Sequence, residues 1–526
     1  MGMKRVLTGV IVLSSVFVLV SCAKSTTTTK STTAKPTTAK ITTSKTTTAK
    51  PTTKASTTTR RTTAKPTTTE APVEYLNKLK FVCFSNEVKT IIDNYYPLTD
   101  SYDATTTYLH DGTFIEWNIV PNSGTYKEQL EDALDNDEAD MFMFEARNTS
   151  EYFKTDKFAD LSTITGFDTS HQFKATKDIV TYDGKLKGVS WIVCPGTITY
   201  NQNVADKVWG TWDGDTLVSG VTYETVANKL STKEKFMTAA QEVHAKTGLY
   251  MLCEPNAMME MYACNLKGKM YDDKNTSSKS DDIVTIDQSL FDWAKDSKYY
   301  YTEEQMKWSD DTYNMWNTGW SNEIKADNVL CYFSTSWMND YVFHSMRYDS
   351  SDEPTTPIGE KKDAKLRVVK SFNPFIWNGT WLGASNSGMA NPLIKDSIAS
   401  ILKALTANKD VQKAIALGTN VIPNNDTALY ELANDTSLTV SYYGGQNLYQ
   451  VYAKALVSAN LENSSFEDYT IYTYLQSAFS NYIRGTKTME QAWDMLKTDL
   501  SYVLGVSKSN IILPDGKTDI EAVFSN

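Results

Sequence analysis

From Ala23 to Pro72 the chain is almost entirely Thr, Ser, Lys, Ala and Pro, with near-repeats ending at Lys30, Lys35, Lys40, Lys45 and Lys50 and no apolar periodicity. Such a stretch cannot bury enough surface to offset the entropy of ordering it, so any fold must come from the residues that follow. Prolines and like charges extend it beyond the ~35–40 Å r.m.s. reach of a flexible chain of this length. It reads as a tether, with threonines open to O-glycosylation. Charge divides at the same place. The tract holds ten Lys or Arg against Glu70 alone, whereas Val73 to Asn526 carries 40 Lys and Arg against 62 Asp and Glu. A body at net −22 is a poor partner for nucleic acid.

Ahead of the tract, Lys4-Arg5 and an apolar stretch from Val6 to Val20 lead into Leu19-Val20-Ser21-Cys22. The apolar segment is too short for a permanent membrane span and has the layout of a secretory signal. It resembles a bacterial lipoprotein signal peptide. That resemblance implies loss of residues 1–21 and acylation of Cys22, which would anchor the protein at the outer face of the cytoplasmic membrane. Residues 22–72 are then the lipidated Cys and its tether.

The body is long enough for two lobes with separate cores. All 12 Trp and all 30 Tyr of the chain lie within it. Its five cysteines include no C-x-x-C pair, and only Cys253 and Cys264 are close enough in sequence to invite a disulfide. Apolar runs at Leu79–Phe84, Phe114–Val120 and Asp140–Phe144 alternate with helical patterns, a βαβ rhythm that predicts a mostly parallel sheet. Ser231-Thr232-Lys233-Glu234 predicts the start of a helix that Gly248 ends, and Thr488-Met489-Glu490-Gln491 predicts another start.

Several segments, in order, resemble the extracellular solute-binding proteins of carbohydrate ABC importers, of the maltodextrin-binding type. They are Asp140-Met141-Phe142-Met143-Phe144, the hairpin Tyr182 to Val189, Thr199-Tyr200-Asn201-Gln202, Lys235 to Ala240, the strand from Val329 to Ser336-Trp337, Trp377 to Ala384, and Gly485 to Ala492. The resemblance implies an α/β, two-lobed periplasmic-binding-protein-like II fold, with a ligand cleft between lobes joined by hinge crossings. It places the first lobe at 73–195 and 380–419 and the second at 204–370 and 420–526. It further implies an oligosaccharide ligand, ABC permease subunits as partners, no cofactor and a monomeric receptor.

A sugar site pairs aromatic rings, which stack on the C–H faces of pyranoses, with planar polar groups that bond the hydroxyls. By this chemistry and the resemblance together, the candidate ligand residues are Trp337, Trp377, Glu145, Arg147, Glu254, Tyr472, Trp381, Trp191, Asp340 and Asn86. Glu254-Pro255 matches a Glu-Pro of the maltodextrin binder, but Asn256 stands where that family has a stacking Tyr. Trp308, Trp316 and Trp320 read as packing. No G-x-S-x-G, G-x-G-x-x-G, P-loop or H-E-x-x-H is present, and the four histidines have no metal-ligand spacing. Asp273, Asn275, Ser277 and Asp281 sketch a calcium loop without its Gly and terminal Glu. The chain therefore reads as a receptor and not an enzyme. An extracellular glycan hydrolase, which needs only two placed carboxylates, or a surface glycan adhesin is the alternative.

Overall fold

The computed structural model describes residues 74–524, apart from 122–124, 147–148, 154, 275, 310–313, 349–360, 362–364, 457–460 and 462. The expected signal segment, Cys22 and the expected tether lie outside the described residues, as do Arg147 and Asn275.

Five strands come first: β1 (Asn77–Cys83), β2 (Thr99–Tyr102), β3 (Thr106–Leu109), β4 (Thr113–Ile119) and β5 (Met141–Glu145). Four more frame the site after long intervals: β6 (Gly196–Asn201), β7 (Cys331–Thr335), β8 (Leu366–Lys370) and β9 (Thr380–Ala384). The first sheet runs β9-β5-β1-β4-β3-β2. β1 is parallel to β4 and β5, while β9, β3 and β2 are antiparallel additions. The second sheet runs β7-β6-β8 and is wholly antiparallel. The expected parallel sheet thus holds only for β5-β1-β4. In the second sheet, β7 and β8 reach β6 after long excursions and enter from its opposite end.

These sheets organise two hydrophobic cores. One takes Leu79 through Cys194 and then Trp381 through Ile415, with β5 buried along its whole length. The other takes chiefly Ile198 through Trp377 and Ile422 through Val523. Where the chain passes between them, three segments lie side by side. Trp377 N donates to Cys194 O (3.0 Å), Gly196 N to Phe375 O (2.7 Å) and Val193 N to Ile422 O (3.0 Å). Gly196 has no alternative here, because a Cβ would stand 2.3 Å from the Phe375 ring.

Helix ends follow local chemistry. The helix Lys233–Thr247 is capped by Thr232, one residue later than the expected start, and Gly248 closes it in the left-handed conformation (φ 67°). Thr488 and Gln491 form a complete capping box on Met489–Leu504. All five body cysteines are free thiols. The helix Asn256–Ala263 separates Cys253 from Cys264, and at about 1.5 Å per residue it holds them too far apart to bond.

Candidate functional site

Loops leaving the strand ends bring chemistry to the crossings. β5 ends at Glu145, which is buried and accepts a hydrogen bond from Asn378 Nδ2 at 2.9 Å. Asn378 is in the left-handed region (φ 51°), so the crossing segment turns there and presents its side chain to the first lobe. On the other side, β7 runs out into Trp337, which precedes the short helix Met338–Tyr341. Trp337 is half-buried and packs against both cores. Its ring stacks on Trp316 (centroids 5.5 Å apart, 26°) and meets Trp377 edge-on (5.5 Å, 67°). Its Nε1 reaches Trp377 O at 3.4 Å.

Trp316 is the member of this cluster that the sequence did not mark. Trp308 and Trp320, grouped with it as packing, are indeed buried, but Trp316 is only half-buried. Its backbone has φ 76°, a conformation that costs a non-glycine residue about 1–2 kcal/mol and is characteristic of functional sites.

Beside the cluster, Ile376 lines a cavity of about 310 Å³, at the small end of the range for ligand sites. Its walls come from both sides of the crossings: Ala146 beyond β5, and Glu260, Asp468, Tyr469 and Tyr472 from the second core's helices. Tyr472 donates to Ala263 O at 3.3 Å, and its ring lies edge-on to Tyr469, 6.0 Å away. Asp468 is buried and accepts from Ser465 N (2.8 Å) and Ser465 Oγ (2.5 Å), and burial pushes its carboxyl up to about 7. Glu260 differs. Its carboxylate has no hydrogen bond or ion pair among the described residues, and burial pushes it up to about 8. The sequence carried a signal for it, an acid inside the apolar run Met258-Met259-Glu260-Met261.

Other expected ligand residues sit elsewhere. Glu254 is buried with φ 66°, and its carboxylate accepts from Asn256 N (2.7 Å) and Ala257 N (2.9 Å), capping the helix that follows. Burial raises it to about 8. Asp340 is buried 3.6 Å from Arg347, with its carboxyl raised to about 7 by burial. Glu87, at the start of the helix Glu87–Tyr95, is raised to about 7 by burial first and by the charge of Asp340 second. Trp381 is 1% exposed, bonds Thr176 O through Nε1 (3.0 Å) and stacks on Phe144, so no face of its ring is open. Trp191 is fully buried in the first core. Asn86 is exposed just before the Glu87–Tyr95 helix. The structure therefore brings Trp337, Trp377, Glu145 and Tyr472 to the crossings and cavity, and commits Trp381, Trp191 and Glu254 to the interior.

Among the described residues no group of His, Cys, Asp and Glu is arranged to hold a metal ion, and no helix is long and apolar enough to cross a membrane. The sequence profile described as bacterial extracellular solute-binding protein matches residues 103–439. Among curated proteins none matches the chain. Many solved structures share the fold. An extracellular solute-binding protein of family 1 superposes with a TM-score of 0.63 at 14% identity, over 82% of this chain and 100% of that one. The ABC transporter associated binding protein of B. animalis subsp. lactis, in complex with beta-1,6-galactobiose, gives 0.58 at 16% identity, over 83% and 99%. The sugar-binding protein MalE of Xanthomonas citri gives 0.56 at 13% identity, over 82% and 98%.

Proposed function

This chain belongs to the bacterial extracellular solute-binding proteins, and from that premise we propose that it is a receptor that holds an oligosaccharide between its two lobes and hands it to an ABC-type importer. The observation that carries the reading is the Trp316-Trp337-Trp377 cluster at the crossings, where Trp377 follows Ile376 of the cavity wall. Trp316 and Trp337 are half-buried and keep part of their indole surface exposed for pyranose rings, Trp377 at 4% exposure backs them from within, and the crossings supply a hinge by which lobes close on ligand. Galactobiose in one structural relative supports the same ligand class. The lobes divide as 73–195 with 380–419 and 204–370 with 420–526, a division supported by the two separate cores. Acylated Cys22 would hold the receptor at the outer face of the membrane, with the tether giving it reach.

The test uses the full-length chain and a panel of plant and starch oligosaccharides. Saturable quenching or a shift of tryptophan fluorescence, with the sugar recovered intact, is expected. Reducing ends that accumulate with time would overturn the receptor reading in favour of hydrolysis, and a flat signal across the panel would overturn the ligand class.

A further inference from the structure

The cavity has a polarity that its neighbouring indoles do not explain. Sugar hydroxyls are well served by carboxylates that already accept other bonds, as Asp468 does from Ser465. Glu260 accepts none among the described residues, and Tyr472, Tyr469 and Phe466 line the same space. The remaining charged lining groups leave its need unmet. Lys174 is held by Asp178 at 2.5 Å, and Lys269 is exposed at the rim. Cys264, an uncharged lining thiol, donates to Ile376 O at 3.2 Å. A carboxyl with no partner among the described residues, in a cavity that Phe466, Tyr469 and Tyr472 also line, is an arrangement that receives an ammonium group through a charge-assisted bond, with the rings available for cation–π attraction.

We propose that this cavity is a subsite for a protonated amine on the ligand, with Glu260 as its counter-charge, so that the oligosaccharide captured is one that contains an amino sugar. This rests on the receptor reading above. In the empty site the carboxyl, raised to about 8, is mostly the neutral acid near pH 7, and it releases its proton when the ammonium arrives. A hydroxyl in the same position gains only an ordinary neutral hydrogen bond.

Calorimetry on the full-length chain, at pH 7 and moderate salt, tests this with β-1,4-linked tetrasaccharides that differ only at carbon 2: glucose, N-acetylglucosamine or glucosamine units. The glucosamine oligomer is expected to bind at least tenfold tighter than its hydroxyl counterpart. In Glu260→Gln that ratio is expected to fall to about two. Equal or weaker binding of the amine, no binding by any of the three, or a preference that survives intact in Glu260→Gln each overturns the proposal. The wild-type comparison stands even if the variant does not fold. Neutral sugars that still bind from the wider panel would leave the receptor reading in place while the amine subsite fails.

Discussion

At the scale of single residues, two tryptophans that both stood as ligand candidates differ in their exposure. Trp337 is half-buried, whereas Trp381 is 1% exposed with its indole N–H bonded to Thr176 O. Trp337→Ala should weaken oligosaccharide binding tenfold or more, about 1.4 kcal/mol, for a stability loss of about 1–2 kcal/mol. Trp381→Ala should cost about 3–5 kcal/mol of stability, with affinity in the surviving folded fraction little changed. Calorimetry and urea denaturation on both variants check this, and matching stability losses would sink the distinction. The sequence did not separate the two: Trp337 was a candidate through its match to a family position, and Trp381 was a candidate beside it, although its strand buries it. The place of Trp316 in the cluster was not legible, because it depends on a positive φ and on a stacking partner from β7's exit, neither of which spacing encodes. Glu254 misled for a related reason: an acid before a helix serves ligand or backbone equally well until its φ of 66° turns the carboxylate onto Asn256 and Ala257.

Elements were legible where their signals are local. Thr488 with Gln491 announced its helix, and the apolar run Asp140–Phe144 announced the strand found at Met141–Glu145. Pairing direction was not legible for β6, β7 and β8, because nothing in a strand's own residues says from which end a distant partner returns. The crossings show how tightly such an assembly is fitted. A Cβ on Gly196 would stand 2.3 Å from the Phe375 ring, so Gly196→Ala must push that ring into the second core or part the crossing segments. A destabilisation of about 1–3 kcal/mol is expected from overpacking, with weaker ligand capture among folded molecules. Unchanged thermal unfolding would show that the crossings yield freely.

For the molecule as a whole, Glu87, Glu254, Glu260, Asp340 and Asp468 share one property: burial raises each carboxyl, to about 7 or 8 from ordinary values of 4.5 and 3.8. A group with a raised folded-state pKa keeps its proton when folded and loses it when unfolded. Between about pH 4 and pH 8 the folded form therefore binds more protons, and unfolding becomes easier as pH rises. Urea midpoints should fall from pH 5.5 to pH 8.5, with a total loss of about 1 kcal/mol or more. A midpoint that rises over that interval would contradict the raised carboxyls. The first sheet carries a different kind of consequence, one of timing. β5 pairs on one side with β1 and on the other with β9, where Glu145 meets Thr380. A ribosome makes β5 long before β9, and an apolar edge of Met-Phe-Met-Phe stays unpaired while the whole second-lobe insertion is synthesised. Open edges of this kind invite aggregation, and late pairing slows folding. The lobe that is started first thus cannot close its sheet until β9 has been made, and secretion of this protein should depend on holding its chain unfolded until residue 384 has crossed.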